Sequence, residues 1–449
     1  MERPTARVLC LPTAADVKEE AERMGVPPSA LEPFAGPLAT PMVKLKWVPP
    51  TIALALQRMI SHPAGLALIA PVDDREAREH GDAKRGRECR FPNPDGGPAT
   101  QDPGLGTSET PQSSGLSPQS STVLVAGPKP LLLDVASRLE AGGGGVERAV
   151  AAELRTALER YEGRQLGTTK CGNLTLEWGK RTYVMGIINV TPDSFSGDGL
   201  GKNVDAALAL AERFVQAGVD ILDVGGESTR PGAAEVSVQE ERERVVPVVR
   251  RLVKEFPVPV SVDSYRLLVV QEALDAGAHM VNDVWGLRRT EGLGSLAAAY
   301  DVPIVLMHNR QAVASKTELG GHFRQVEYLD LMGGIVQGLR ESVEIALAGN
   351  VRWENIIVDP GIGFGKTPQQ NLVVMRRLQE VRSLGRPILM GTSRKSVIGL
   401  TLGLPPEERV EGTGATVAVS ICNGADIVRV HDVKEMVRVS RMTDAIVRT

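Results

Sequence analysis

The sequence predicts an α/β protein, a (β/α)8 TIM barrel that follows a small N-terminal α/β domain interrupted by a disordered insertion. From about Tyr183 the chain alternates short Val/Ile/Leu-rich runs with amphipathic helical patterns, and it does so eight times. The runs are continuously apolar, which is typical of parallel strands buried on both faces. Eight such units over roughly 265 residues match the size of a (β/α)8 barrel. A doubly wound sheet is less favoured because no GxGxxG follows the first strand.

The composition is that of a globular protein with more than one folded unit. Its 449 residues exceed one ordinary domain, and 42% hydrophobic with 24% charged residues allow a sizeable core. A net charge of −4 excludes a general nucleic-acid binder. The four cysteines form no CxxC pair, which favours a reducing compartment, and Cys422 is expected in the core. No apolar run approaches the ~18 residues of a membrane helix, and the apolar centre of the N-terminus is too short for a signal peptide. We therefore expect a cytoplasmic protein without membrane contact.

The N-terminal part predicts a small domain that a polar insertion divides. "MVKLKWV", "GLALIAPV" and "STVLVAG" predict strands, and "PPTIALALQRMI", "KPLLLDVASRLEA" and "VERAVAAELRTALERYE" predict helices. Residues 74–120 are first charged and then rich in Pro, Gly, Ser and Thr, so they cannot bury enough surface to offset their ordering entropy. We therefore expect an α/β domain over residues 1–73 and 121–165, a disordered insertion over 74–120, and the barrel over 166–449. The sequence assigns no activity to the N-terminal domain.

The barrel strands are predicted in order along the chain. The runs are "TYVMGIIN", "VDILDVG", "VPVSVD", "HMVNDV", "PIVLMH", "NIIVDP", "PILMGT" and "DIVRV". Amphipathic helices are predicted between them, for example at Val204–Gln216, Ser237–Glu255 and Arg266–Ala276. Just upstream, "GNLTLEWGKRTYVMG" predicts a hairpin that could cap the bottom of the barrel.

Each predicted strand delivers polar residues to its carboxyl end, where active sites of such barrels lie. A single Asp there often only caps the next helix, but caps do not require Arg, Lys or His. The second strand is followed directly by "GGESTRPG", a loop rich in glycine and hydrogen-bonding groups. We expect this loop to hold an anion. The strand-end residues are Asn189, Gly225 through Arg230, Asp263, Asn282 with Asp283, His308, Asp359, Ser393 to Lys395, and Arg429 with His431.

Eight motifs of the barrel closely resemble, in order, those of dihydropteroate synthase, a family of pterin-binding TIM barrels. They are "VMGIINVTPDSFSGDG", "VDILDVGGESTRPGA", "SVDS", "VNDV", "LMH", "DPGIGFGK", "GTSRKS" and "RVHDV". The resemblance runs from about Tyr183 to Thr449. It implies condensation of 6-hydroxymethyl-7,8-dihydropterin diphosphate with 4-aminobenzoate, which yields 7,8-dihydropteroate and diphosphate for folate biosynthesis. It also implies a transferase that sulfonamides target, and a homodimer.

The resemblance implies how the pterin is held. A buried carboxylate can accept both the ring N–H and the amino group of the aminopyrimidinone edge in one bidentate, charge-assisted pair. By resemblance Asp359 does this, and Asn282 and Lys395 supply further hydrogen bonds to the ring. When the C–O bond breaks, positive charge develops on the pterin methylene. Asp263 matches the carboxylate that would stabilise this charge by preorganised electrostatics.

The remaining matches concern the diphosphate, the metal ion and the aminobenzoate. Arg429 and His431, near the Ser393–Lys395 loop, lie in the region after the last two strands where barrels commonly bind phosphate. Asn189 matches an asparagine that contacts the diphosphate and its Mg²⁺, the cofactor that we expect. Thr229 and Arg230 match the second-loop pair of the aminobenzoate site, which Phe364 and Ser393 would complete. We expect Asp263, Lys395 and Arg230 to be the catalytic residues.

Two rival functions and some departures from the family pattern remain open at this point. A methyltetrahydrofolate–corrinoid methyltransferase would share the pterin-edge carboxylate and asparagine but needs no diphosphate site, and no DxHxxG corrinoid motif is present. A non-catalytic pterin-binding paralogue is the second rival. The first loop carries its acid at Asp198, one place later than the family pattern, while Asp193 keeps its position. "GIGFGKT" is not a P-loop, because Pro360 stands where the motif needs Gly.

Overall fold

The computed structural model describes residues 4–34, 41–60, 66–71, 120–162, 166–190, 200–227, 236–310 and 327–448. Nearly all of the insertion predicted at residues 74–120 lies outside these ranges. The chain divides into two compact units, one formed by residues 1–9 and 13–155 and the other by residues 10–12 and 156–449. The division falls inside a helix, ten residues before the boundary predicted at 165/166.

The N-terminal unit contains an antiparallel sheet with strands in the order β1-β2-β4-β3. Strand β1 and helix α1 were not predicted. Helix α1 begins at a capping box, in which Thr13 Oγ1 accepts from Asp16 N at 3.2 Å, and it ends at Gly25 in the left-handed conformation. The strands are Thr5–Leu9 (β1), Met42–Val48 (β2), Leu66–Pro71 (β3) and Ser121–Ala126 (β4), and the helices are Ala14–Met24 (α1), Pro50–Met59 (α2), Lys129–Ala141 (α3) and Gly145–Glu162 (α4).

The second unit is the predicted barrel, and the fold class is confirmed. Eight parallel strands follow one another in the order β12-β11-β10-β9-β8-β7-β14-β13. A parallel bridge between Val358 and Ile388 joins the two ends of this series and closes the barrel. The strands are Tyr183–Asn189 (β7), Ile221–Gly225 (β8), Val260–Asp263 (β9), Met280–Asp283 (β10), Ile304–Met307 (β11), Ile356–Asp359 (β12), Leu389–Met390 (β13) and Ile427–Val430 (β14).

Helices alternate with these strands and bury one apolar side against them. Helix α5, for example, packs Ala207, Ala211 and Phe214 into the core between strands and helices. The barrel helices are Leu200–Ala217 (α5), Val238–Glu255 (α6), Leu267–Asp275 (α7), Leu293–Ala299 (α8), Leu331–Ala348 (α9), Pro368–Arg376 (α10), Ser396–Leu402 (α11), Val410–Cys422 (α12) and Val433–Val447 (α13). No described helix is long and apolar enough to cross a membrane.

A hairpin lies at the amino-terminal end of the barrel, but it begins before the predicted stretch at residues 172–186, whose second half belongs to β7. It consists of Thr168–Cys171 (β5) and Leu174–Glu177 (β6), paired antiparallel. Its buried side chains share one apolar cluster with the first residues of the barrel strands, and Trp178 Nε1 donates to Thr169 Oγ1 at 2.8 Å. The hairpin therefore closes the bottom of the barrel and leaves the opposite end for a site.

One prediction about the core is wrong. Cys422 was expected to be buried, but it is exposed at the last position of α12. The apolar pattern of the helix ends at Ile421, and the chain turns at Asn423, so the thiol projects away from the core. Among the described cysteines Cys171 of β5 is the buried one, and burial raises the pKa of its thiol to about 12. Such a thiol stays protonated and inert at neutral pH.

Candidate active site

The register of the parallel strands brings the predicted strand-end residues to one end of the barrel. Asn189 pairs with Gly225, Gly225 with Asp263, and Asp263 with Asn282. Asp359 ends β12 beside Met307. The first four residues therefore share one register level. Asp359 lies two residues further along β12, because Asn282 pairs with Val305 and Val305 with Ile357. Thr229 and Arg230 lie outside the described residues, as do Asp193 and Asp198 of the first loop.

Asp359 presents a carboxylate with one oxygen engaged and one open. Its side chain is buried, and Oδ1 accepts from Gly361 N at 2.7 Å. Among the described residues no donor reaches Oδ2. Burial raises the pKa of Asp359, and nearby Lys395 and the Gly361 amide lower it. A carboxylate held in this way gains strongly from a ligand that brings two N–H donors to it.

The turn after Asp359 depends on glycine. Gly361 has φ +71°, and a side chain there would meet the backbone oxygen of His308 at 2.1 Å. No other residue fits this conformation and this close approach without moving a backbone. The turn carries Phe364 over to Lys395, whose Nζ lies 4.6 Å from the ring centroid. Lys395 Nζ also donates to the carbonyl oxygen of Ile362.

Lys395 is poised between charged and neutral states. Burial lowers its pKa to about 8, while Asp359 raises it and Arg429 lowers it. The residue before it, Arg394, has φ +56°, an uncommon conformation for a side chain other than glycine. Asp432 holds Arg394 through Nε at 2.9 Å and through Nη2. This bidentate pair fixes the loop that presents Ser393 and Lys395.

Arg429 lies between two carboxylates. Its Nε donates to Asp223 Oδ2 and its Nη2 to Asp263 Oδ2, both at 2.6 Å. Although burial opposes it, the two carboxylates raise the pKa of Arg429. Burial raises the pKa of Asp263 to about 7, Arg429 lowers it, and Asp223 raises it. The predicted cation is thus present, but part of its charge is already compensated.

Asn282 and the last strand complete the centre. Asn282 is buried, and its Nδ2 donates to Asp223 Oδ2 at 3.1 Å. After β14, His431 N donates to Ser393 Oγ, and His431 Nδ1 lies 3.1 Å from the same oxygen. The two loops that were predicted to hold the phosphate and the aminobenzoate are therefore joined by direct hydrogen bonds.

Two of the strand-end residues, Asp283 and His308, are bound by neighbouring groups of the protein at the carboxyl-terminal mouth of the barrel. Asp283 accepts from Trp285 N at 2.8 Å and from Leu287 N at 2.6 Å, so it organises the turn after β10. Burial raises the pKa of Asp283 to about 6. His308 is buried, and its Nδ1 lies 3.1 Å from Nζ of Lys366. Burial lowers the pKa of both His308 and Lys366 well below their ordinary values.

The two glycines at the end of the second strand, Gly225 and Gly226, differ in the space around them. A side chain at Gly225 would lie 3.4 Å from Asp263 Cβ and Oδ2, beside the reactive mouth. A side chain at Gly226 would overlap Val245 Cγ2 at 2.7 Å on helix α6. The second glycine therefore lets the strand end pack closely on the helix, whereas a side chain at Gly225 would make only ordinary contact with Asp263.

Asn189 is the one predicted metal ligand that the structure describes. It ends β7 and is half-buried beside Gly225, which contributes no side chain. No group of three or more His, Cys, Asp or Glu side chains in the described ranges could hold a metal ion. Mg²⁺ often takes only one or two protein oxygens and completes its shell with substrate phosphates and water. The amide oxygen of Asn189 fits such a substrate-borne ion.

Sequence reasoning missed Asp223 and Lys366. Asp223 was visible in "VDILDVGG", two residues before Gly225, so strand alternation places it on the same interior face as Gly225. Lys366 ends the motif "DPGIGFGK", but no role was assigned to it. Its Nζ donates to the carbonyl oxygens of Gly361 and Phe364 at 2.9 and 3.2 Å, which ties the turn together from behind.

The arrangement can bind a flat polar heterocycle beside an anion. Open acceptors at Asp359 and Asp263 lie close enough to Lys395 and Arg429 for mutual electrostatic effects on their pKa values. Ser393 Oγ lies 3.1 Å from His431 Nδ1, but it also accepts a hydrogen bond from His431 N, so it joins the two loops. The centre therefore suits a reaction that separates charge, not one that forms an acyl-enzyme intermediate.

Comparisons with known proteins agree on one family. A family model described as pterin binding enzyme matches residues 185–431. The dihydropteroate synthase of Clostridium beijerinckii is 48% identical over 280 residues, which is 62% of this chain and 99% of that protein. The dihydropteroate synthase of Bacillus subtilis is 50% identical over 270 residues, 60% of this chain and 90% of that protein.

Solved structures give the same result. The dihydropteroate synthase of Clostridium difficile, crystallised in the presence of pteroic acid, is 48% identical with a TM-score of 0.56 and covers 61% of this chain and 99% of its own. The Yersinia pestis dihydropteroate synthase in a sulfonamide drug complex is 41% identical with a TM-score of 0.57, covering 62% and 99%. Both matches span nearly the whole of those proteins.

Proposed function

The chain belongs to the pterin-binding enzyme family, and from this membership we infer that it catalyses the dihydropteroate synthase reaction of folate biosynthesis. The enzyme is a transferase. It condenses 6-hydroxymethyl-7,8-dihydropterin diphosphate with 4-aminobenzoate and releases diphosphate. The observation that carries this conclusion is the meeting of Asp359, Asp263, Asn282, Lys395 and Arg429 at one mouth of the barrel.

In this proposal the pterin is bound by Asp359 and Lys395. The ring N–H and amino group donate to Asp359, whose Oδ2 is open to them. Lys395 donates to an acceptor of the ring, since its ammonium is held nearby over Phe364. A ligand without this donor pattern would leave buried groups unpaired, which is strongly unfavourable.

The chemical step is a substitution at the pterin methylene. The C–O bond to the diphosphate breaks and its electron pair leaves with the phosphate, so positive charge grows on the methylene carbon. Asp263 stabilises this charge when it is ionised. Arg429 keeps Nη1 for the leaving group, because its Nε and Nη2 are taken by carboxylates. In this proposal His431, which is held by Ser393, also contacts the leaving diphosphate.

The nucleophile is the neutral aromatic amine of 4-aminobenzoate. It forms the C–N bond and then loses one proton to solvent, so no covalent enzyme intermediate is needed. Thr229, Arg230, Phe364 and Ser393 form its binding site in this proposal. Phe364 provides an apolar face, and Arg230 provides a positive charge for the carboxylate.

Mg²⁺ is part of the proposal, with the amide oxygen of Asn189 as its protein ligand. Bound with the substrate, the ion would neutralise charge on the diphosphate and make it a better leaving group. Asn189 would then orient the diphosphate above Gly225, where no side chain intervenes.

The working form is proposed to be a cytoplasmic homodimer. Several large apolar side chains of the last helices are exposed in the single chain, and α12 packs beside α13. A second copy that covers them would remove this surface from water. They are Leu400 and Leu402 of α11, Val419 of α12, and Met442 and Ile446 of α13. Sedimentation equilibrium of the purified chain measures this directly.

The purified chain, with Mg²⁺, the pterin diphosphate and 4-aminobenzoate, is expected to release diphosphate and form dihydropteroate. The matched variant Asp263→Asn should bind pterin but turn over far more slowly, because it lacks the negative charge. A folded wild-type chain that binds pterin without making product would be a binding paralogue. Methyl transfer from methyltetrahydrofolate to a corrinoid would identify the methyltransferase instead.

A further inference from the structure

Asp223 is a buried carboxylate that the reaction itself does not use. It lies in the middle of β8 with an exposed fraction of 0%, one layer below the mouth that Gly225 borders. It does not reach the level of Asp263 or Asp359, where substrate would be in contact. Its role must therefore pass through the side chains that it touches.

A single oxygen of Asp223 organises two neighbours. Oδ2 accepts from Arg429 Nε at 2.6 Å and from Asn282 Nδ2 at 3.1 Å. An ionised carboxylate only accepts hydrogen bonds, so the amide of Asn282 must turn its nitrogen toward Asp223. Its carbonyl oxygen Oδ1 is then turned away from Asp223. The same contact fixes the guanidinium of Arg429 with Nη1 as the end left for a ligand.

Stability does not explain this carboxylate. Its Oδ1 is enclosed and has no hydrogen-bond partner among the described residues, and neither does Ser261 Oγ on the neighbouring strand. A buried acceptor without a partner costs free energy, and an apolar residue of similar shape would avoid that cost. Residues that are costly to folding but placed beside a site are candidates for a functional role.

We propose that Asp223 is a positioning residue for substrate selection: it holds Asn282 with its carbonyl oxygen toward the pterin and Arg429 with Nη1 toward the diphosphate. The inference deepens the proposed function and rests on it. Without Asp223 the amide of Asn282 can rotate and offer N–H₂ to a ring N–H, which places two donors against each other. A pocket with a rotating amide binds the ring less tightly and less selectively.

The test measures binding of 6-hydroxymethyl-7,8-dihydropterin by calorimetry, because this ligand lacks the diphosphate and so isolates the route through Asn282. Asp223→Leu has a similar shape and no acceptor, and it should weaken binding by about 10- to 100-fold. Its melting temperature is measured as well, because Arg429 Nε loses a buried partner in this variant. Asp223→Asn still offers a carbonyl oxygen to Asn282 and should recover most of the affinity. Asp220→Asn, the matched control at the bottom of the barrel, should bind like the wild type, because Asp220 pairs with Arg181 instead.

A double-mutant cycle separates positioning from a general structural effect. In an Asn282→Ala background, Asp223→Leu should change pterin affinity by less than about threefold, because the group through which it acts is gone. Asp223→Ala, which also lacks an acceptor, is run through the same cycle and should give the same answer with a smaller side chain. Additive effects, or an Asp223→Leu protein that binds like the wild type, overturn the positioning role. A wild-type chain that binds no pterin overturns the proposed function itself.

In steady-state kinetics Asp223→Leu should raise KM for the pterin diphosphate and leave KM for 4-aminobenzoate within about twofold. The split is expected because Asn282 and Arg429 face the first substrate. Equal increases in both KM values would contradict the proposal, since a loosened barrel would affect both sites.

Discussion

The two units of this chain both bury charged side chains, but they leave different atoms open. In the N-terminal unit, Glu20 is fully buried and both of its oxygens are engaged, one by Lys44 and the other by Arg23, each at 2.7 Å. In the barrel unit, Asp359 uses one oxygen for Gly361, and no described donor reaches the other. The first arrangement is complete in itself. The second is completed by a ligand.

The sheet topologies explain this difference. Parallel strands all end on one side, so a polar residue at each end joins the others at one mouth. Antiparallel strands alternate in direction, and in the N-terminal unit the buried charges lie along the sheet, where Arg7 of β1 is paired with Lys44 of β2. Such charges must be neutralised locally, as Glu20 does for Lys44. A buried charge by itself is therefore a weak indication of function. A buried carboxylate oxygen that no described donor reaches is a stronger one.

The largest expected effect tests the open carboxylate. Asp359→Ala removes two charge-assisted hydrogen bonds to the pterin and should weaken its binding by about 3–6 kcal/mol. Calorimetric titration with 6-hydroxymethyl-7,8-dihydropterin measures this, and thermal unfolding confirms that the barrel remains folded. The pterin affinity of Asp359→Asn, which retains one acceptor, should lie between those of the wild type and the alanine variant. Unchanged pterin affinity in the alanine variant would remove the basis of the comparison.

The next effect tests the closed pair. Glu20→Ala removes a buried carboxylate partner of Lys44 and should destabilise the N-terminal unit by about 3–5 kcal/mol. Denaturant unfolding measures the loss, and the affinity for pterin should be unchanged. The matched control is Glu22→Ala on the same helix, which breaks an exposed pair with Lys18 and should cost below about 0.5 kcal/mol. Equal losses in the two variants would contradict the assignment of Glu20 as a buried partner.

A smaller effect sharpens the picture of ion pairs that hold a site in shape. Arg394→Lys keeps the charge but cannot form the bidentate pair with Asp432, so kcat/KM for 4-aminobenzoate should fall. The fall should correspond to a loss of transition-state stabilisation of about 1–3 kcal/mol. The reason is that the Ser393–Lys395 loop loses its anchor. Arg138→Lys, in an exposed pair of the N-terminal unit, is the control and should leave kinetics unaltered. A fully active Arg394→Lys enzyme would show that the loop holds its shape without this pair.

The smallest effect is a pH dependence within the barrel. Asp263 acts when ionised, above its pKa of about 7, and Lys395 acts when protonated, below its pKa of about 8. The pH profile of kcat/KM should therefore be a narrow bell between these values, falling about tenfold per pH unit outside them. Lys395→Arg should move the alkaline limb upward, because a guanidinium stays protonated. An alkaline limb that is identical in this variant would assign it to another group.

Much of the barrel was predictable because its signals are local. Apolar runs marked the eight strands, and the polar residues that follow them marked the mouth; Asp263 and Asp359 each end a strand as expected. The N-terminal unit was predicted less completely. Its strand β1 is only five residues long, and it was considered for a signal peptide and not as part of a sheet. Cys422 was misjudged because an apolar helix pattern does not show which side its last residue faces.

The sequence by itself determined the order of the strands along the chain and the kinds of polar residue at their ends. Both are local features, because the apolar run of each strand and the polar residues after it are neighbours in the sequence. Only the tertiary structure decided which of these residues meet. Arg429 contacts Asp223 and Asp263, which are 206 and 166 positions away along the chain. Such contacts exist only once the barrel has closed in one register. A shift of one residue in any strand would turn these side chains from the interior to the helices.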